Sequence, residues 1–262
     1  MAAGKYKLMN LLKLLPAVFV AILLLSFGAS LAQSAGHNSG EGWWSARRDS
    51  AGVAPDPRQN ASVAIVQVYA AQTYGWKGWF AVHPWIIYKR AGESRYHRYE
   101  VISWGSGDKV RHNQNIADGY WYGAKPRLLV EHRGAAAAAM IPRIEAAIND
   151  YPWPQTYHAW PGPNSNTFLA HIGREVPELK LNLPANAIGK DFRSLLSPVG
   201  LPPSGKGVQL SLLGIAGVTL GGQEGLEVNV LGLNLGMAFD PPALRLPFVG
   251  QLGDNEAPPD KG

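Results

Sequence analysis

The chain has 262 residues, 46% of them apolar, no cysteine and a formal net charge of +5. That length suits one sizeable domain or two small ones, and the apolar share is enough for a packed core. The missing cysteine excludes disulfides, thiolate metal sites and a cysteine nucleophile. Setting Lys5, Lys7 and Lys13 apart leaves 21 of the 24 basic residues against 19 acidic ones, with no basic cluster interleaved with aromatics, which excludes nucleic-acid binding as a leading reading.

Residues 1–32 read as a secretory signal or an N-terminal membrane anchor. Three lysines and no acid precede an apolar run from Leu14 to Ala29, and Ser30-Leu31-Ala32 supplies small residues of the kind a signal peptidase reads. As a helix, that run of about 16 residues spans about 24 Å, short of a hydrocarbon core of about 30 Å. Adding Leu11, Leu12 and Leu31, with Lys13 snorkelling, makes retention as an anchor equally open. The one-sided lysines place the rest of the chain outside the cytoplasm, so the expected location is periplasmic or anchored to the inner membrane. Residues 33–60 are rich in Gly, Ser, Asp, Pro and Asn and read as a flexible tether. Trp43-Trp44 interrupts it, and the pair is expected to fold back on the domain.

A core domain is expected over 62–183. Residues 62–72, 78–90, 94–105 and 127–133 read as strands, the second and third forming an antiparallel hairpin across Ala91-Gly92-Glu93-Ser94. Pro84 lacks an amide donor and points to an edge or a bulge. If Arg90 lies opposite Arg95, then His83 and Glu100 share a face, and a one-residue slip separates them. Met140, Ile141, Ile144 and Ile148 have helical spacing, with Pro142 marking a kink or the helix start. A second helix covers 165–176, with Phe168, Ile172 and Val176 on its apolar face. A Pro/Gly-rich connection follows over 184–206.

Residues 207–250 read as a long Gly-rich β-hairpin packed on the core, turning at Gly221-Gly222-Gln223-Glu224-Gly225. Gly214, Gly217, Gly232 and Gly236 are expected to permit bends or close contacts. Leu226, Val228 and Val230 alternate with Glu227 and Asn229, so the apolar set is expected to face inward and the polar pair to face water. Residues 251–262 read as a disordered tail. Strands, two helices and strands again make an α+β fold.

Ser165 follows Pro-Gly-Pro at a helix start. It, or Asn164, can cap the helix; the same position beside unpaired amides also suits an attacking oxygen. His83 is either a satisfied core histidine or a base, and Glu100 either orients it or pairs with Arg98 or Arg95. His83, His97, His112, His132, His158 and His171 are scattered without metal-ligand spacing, and no strand–glycine loop–helix signature for phosphate is present. No metal or cofactor is expected.

The segments "VQVYAAQTYGWKGWFAVHPWI", "YEVISWG", "ADGYW", "WPGPNSNTF" and "AIGKDF" resemble a bacterial envelope family catalogued as domain of unknown function 3750, over roughly residues 62–250. More distantly, a His on an early strand followed by an Asn-Ser-Asn segment opening a helix looks like the circularly permuted papain-like hydrolases of NlpC/P60 type, with Ser in place of Cys. That likeness implies a papain-like arrangement with Ser165 as nucleophile and His83 as base; the hairpin register adds Glu100 as the candidate that orients the imidazole. Asn164, Asn166, Trp85 and Trp160, in the same segments, are the candidate binding positions. A serine hydroxyl needs base assistance throughout, so the implied activity is a Ser/His amide or ester hydrolase or acyltransferase. The alternative is a noncatalytic envelope module binding a small-molecule, lipid or cell-wall ligand in a degenerate groove.

Overall fold

The computed structural model describes residues 2–34 and 42–253. Residues 35–41 of the expected tether and the expected tail from residue 254 onward lie outside the described residues. Helix α1 (Ala2–Ser34) is continuous and contains Pro16. Its stretch Pro16–Gln33 is long and apolar enough to cross a membrane. The globular part begins with β1 (Ile65–Gln72), β2 (Val82–Lys89), β3 (His97–Val101), β4 (Val110–His112) and β5 (Arg127–Arg133). Helices α2 (Gly134–Asn149) and α3 (Ser165–Glu175) follow. The chain ends in β6 (Val199–Gly200), β7 (Gly207–Leu212), β8 (Ala216–Gly221), β9 (Gly225–Val230), β10 (Leu233–Phe239), β11 (Pro242–Leu246) and β12 (Gly250–Gly253). The fold is α+β.

Sheet 1 has the order β4-β3-β2-β1-β5 and is antiparallel throughout. Pro84 is therefore on a central strand, where an edge or a bulge was expected. It is tolerated because the β2–β3 ladder runs only from Ile86 to Tyr88, so that position requires no donor toward β3. One face of the sheet carries Val66, Val68, Ala70, Val82, Ile86 and Tyr88 and packs on α2 and α3. From α2 it receives Met140, Ile141, Ile144 and Ile148, and from α3 Phe168 and Ile172, all buried. Each such side chain contributes about 1.5–3 kcal/mol on leaving water. Pro142 sits inside α2 rather than at its start.

The opposite face carries Tyr69, Ala71, Trp85 and Ile87, with Ile102 and Trp121 beside them. Residues 42–60 have little regular structure yet lie strapped over this side rather than trailing free. The Asp118 carboxylate accepts hydrogen bonds from the Ser50 hydroxyl (2.8 Å) and from the amides of Val53 (2.8 Å) and Ala54 (3.1 Å). Of the Trp43-Trp44 pair expected to fold back, Trp43 does, stacking on Tyr122 with ring centroids 3.8 Å apart, whereas Trp44 is 90% exposed.

Sheet 2 is an antiparallel meander of seven strands in the order β12-β11-β10-β9-β8-β7-β6. The expected Gly-rich hairpin is present within it as β8 and β9, closing at Gly221 and Gly225, and further strands extend the sheet on both sides. Gly214 and Gly232 adopt φ of 72° and 80°. They turn the chain between β7 and β8 and between β9 and β10, so each arm of that hairpin pairs with a further strand. The facing is also the reverse of the expected one. Glu227 and Asn229 are only 1% and 5% exposed, whereas Leu226 and Val228 are 46% and 45% exposed. The physical reason is an ionic and amide network beneath the sheet. Asp191 accepts from the side-chain amides of Gln209 (2.7 Å), Asn229 (3.0 Å) and Asn234 (2.7 Å). The Glu227 carboxylate takes the Lys190 ammonium and the Arg245 guanidinium.

Candidate active-site cluster and the start of helix α3

The β2–β3 register pairs Ile86 with Tyr99, Ile87 with Arg98 and Tyr88 with His97. This is the alignment that sets Arg90 opposite Arg95. Trp85 consequently faces Glu100, and His83, Glu100 and Arg98 project from the same face. His83 Nε2 lies 2.9 Å from Glu100 Oε2. Arg98 Nη2 donates to the same oxygen at 2.8 Å, and Asn115 Nδ2 donates to Oε1 at 2.7 Å. Arg98 Nη1 donates to the carbonyl of Ile116, and its guanidinium lies 4.1 Å above the Trp85 ring. The His83 ring stacks on Trp121 at 3.7 Å and 9°.

These contacts set the protonation states. Burial pushes the Glu100 carboxyl up, but the Arg98 charge and the bond from His83 outweigh it and bring it down to about 2. Burial pushes His83 below its ordinary value, more strongly than Glu100 pulls it up. A neutral imidazole facing an ionised carboxylate donates through Nε2–H, which leaves the lone pair on Nδ1. No hydrogen bond reaches Nδ1 among the described residues.

A chain of rings leads outward from this cluster. Trp121 stacks on Trp104 at 5.8 Å, and Trp104 meets Trp43 edge-on at 5.2 Å. Trp104 is 41% exposed and carries the array to solvent on the β3–β4 loop, residues 102–109.

Ser165 is elsewhere. It is the first residue of α3, on the helix-covered face of sheet 1, and buried. Burial holds the nearby Tyr157 phenol above its ordinary value, more strongly than the Ser165 hydroxyl lowers it. Asn164, not Ser165, is the cap. Its side-chain oxygen accepts from the amides of Asn166 (2.9 Å) and Thr167 (3.2 Å), while its own amide donates to Thr167 Oγ1 (3.1 Å). This reciprocal box uses Thr where the usual pattern has Glu or Gln. Asn166 Nδ2 donates to the carbonyls of Val82 (3.2 Å) and Ile188 (2.8 Å), which ties the start of α3 to the start of β2. The backbones of Val82 and Ser165 are thus neighbours, yet Val82 turns its side chain toward α3 and His83 turns away. The structure joins His83 to Glu100 and does not join either to Ser165.

Of the remaining expected positions, Trp85 is buried under Arg98, and Asn164 and Asn166 are buried at the helix start. Trp160 is half-exposed, with its indole N–H donating to the carbonyl of Leu231 at 2.9 Å. Sequence reasoning missed Asn115, Trp121 and the Trp43–Trp104 surface. The clustering of tryptophans in the sequence was the signal for the last of these. It also missed Lys190 and Asp191, although "AIGKDF" had already been picked out as a motif.

Residues 63–192 match the family described as "Protein of unknown function (DUF3750)". The chain carries a domain of this family. The DUF3750 match covers sheet 1, both core helices and Lys190-Asp191, and it stops before sheet 2, short of the extent near residue 250 that the motifs suggested. No curated protein and no solved structure matches the chain.

Proposed function

We propose that the protein is a membrane-anchored envelope module that binds its ligand without cleaving it through Ser165. The observation carrying this reading is the separation of Ser165 and His83 by the sheet. A base must come within hydrogen-bond reach of the proton it takes, and the alternation of β2 points this imidazole away from that hydroxyl. The His83–Glu100–Arg98–Asn115 cluster instead supports the floor of an aromatic surface. Exposed Trp104, backed by Trp43, Tyr122 and Trp121, offers flat apolar faces of the kind that pack on the C–H faces of a sugar ring. A sugar-containing cell-wall fragment is the ligand class that this surface suits. Helix α1, with lysines only on its N-terminal side, is the anchor, and the domain lies outside the cytoplasm.

Calorimetric titration of the full chain in detergent with soluble peptidoglycan fragments tests the reading. Binding is expected, weakened about tenfold or more in Trp104→Ala, in line with the cost of losing a central aromatic contact. Ser165→Ala should bind as the parent does. Turnover of an amide or ester that disappears in both Ser165→Ala and His83→Ala would replace this reading with the hydrolase one.

A further inference from the structure

Strands β7–β12 alternate in the inverse sense to a water-facing sheet. The outward positions are Val208, Leu210 and Leu212 on β7, then Ala216, Val218 and Leu220 on β8. They continue through Leu226, Val228 and Val230 on β9 to Met237, Phe239, Leu244 and Leu252 on β10–β12. None is charged. The charged strand residues Glu227 and Arg245 are both inside and paired. The rows are continuous across the sheet, as in Leu220–Leu226–Met237–Leu244–Leu252. Six strands at about 4.8 Å and about five residues at about 3.3 Å give a face of roughly 24 by 17 Å. That is at the upper end of the apolar patches that water-exposed monomers carry.

We propose that this outer face of sheet 2 docks on the lipid bilayer that holds α1, its aliphatic side chains entering the interfacial layer. Apolar-out, polar-in alternation with satisfied inner groups is the pattern of a lipid-facing sheet. The same chain supplies continuity with the membrane. Phe248, in the turn joining β11 to β12, lies 5.8 Å from Phe27 of α1, and Phe80 meets both rings at 5.4 Å. Phe27 belongs to the apolar stretch Pro16–Gln33. A bilayer around that helix therefore reaches the β11–β12 end of the sheet. Trp160 is half-exposed at the β9–β10 turn and Trp76 is exposed beside Phe80, as amphipathic rings are at a membrane interface.

The proposal rests on the anchoring role of α1, and the test separates the two. The absence of cysteine lets single cysteines be introduced into the full chain and labelled with a nitrobenzoxadiazole dye. The positions are Val228 on the sheet, Val20 on α1 and Ala139 on the exposed side of α2. Each labelled chain is reconstituted in phosphatidylcholine vesicles with or without dibrominated acyl chains. Bromine should quench the dye at Val228 and Val20 by about half and leave Ala139 unchanged, since only buried-in-lipid positions meet the acyl chains. Quenching at Val20 but not at Val228 overturns docking while anchoring stands. Quenching at Val228 but not at Val20 keeps docking and removes the anchor. Quenching at neither removes both. A blue-shifted Val228 dye that ignores bromine and self-quenches with increasing protein shows a second copy of this chain on the face, which also overturns the proposal.

Discussion

Glu100 holds its charge against complete burial because three donors converge on it. That arrangement makes stability depend on pH in a defined direction. Its folded pKa of about 2 lies below the ordinary value of 4.5, so the carboxylate's stabilisation is present above about pH 4.5 and is lost as pH falls toward 2. The shift corresponds to on the order of 3 kcal/mol. His83 is also lowered, so the folded chain resists the proton that the unfolded chain takes up below about 6.5, and stability again falls on acidification. Denaturant unfolding followed from pH 7 to pH 3 should show this decline, and Glu100→Gln should flatten its lower limb; equal slopes would contradict the ionised assignment. At the α3 start, Asn164→Ala should cost about 1–2 kcal/mol for the lost cap alone, and more because its amide group also reaches the carbonyls of Ala159 and Ile188. Ser165→Ala should cost less than Asn164→Ala. The reverse order in thermal unfolding would restore Ser165 as the capping residue.

At the level of elements, periodicity located β1, β2, β3, β5, α2 and α3, and the hairpin turn at Gly92 left two registers for His83 and Glu100, of which the structure has the one that sets Arg90 opposite Arg95. These follow from local rules: strand alternation, helical spacing and turn length. Two features did not follow. Alternation divides a strand into two faces without saying which is inside, and the assumption that Leu226 and Val228 face inward fails because Lys190, Asp191 and Arg245, from distant parts of the chain, claim the polar face. Likewise, His83 and Ser165 are near in backbone but opposed in side-chain direction, which spacing between motifs does not encode. The inversion has a direct consequence for mutation. Glu227→Leu should destabilise by about 3–5 kcal/mol, since it strands two buried cations. Val228→Thr, on the exposed face, should stay within about 0.5 kcal/mol in detergent-solubilised protein. Denaturation midpoints of the two variants decide which face is the inner one.

For the molecule as a whole, α1 and the globular part are one packed object at Phe27, Phe80 and Phe248, with the Ser30 hydroxyl donating to the carbonyl of Trp79 at 2.6 Å. A double-mutant cycle of Phe27→Ala and Phe248→Ala should give a coupling of about 0.5–1.5 kcal/mol, as expected for an aromatic pair. A coupling of zero would mean that the helix and the domain are mechanically independent. The inverted sheet has a calorimetric consequence too. Heat capacity rises on unfolding because apolar surface meets water, and it falls with newly wetted polar surface. Sheet 2 already presents its aliphatic side and conceals its amides, carboxylates and guanidinium. Melting it should therefore add far less than the usual 12–15 cal/mol/K per residue, roughly, that an ordinary domain absorbs. Its stability curve should accordingly be flatter with temperature than that of sheet 1, which buries Met140, Ile141 and Ile144 of α2 and Phe168, Leu169 and Ile172 of α3.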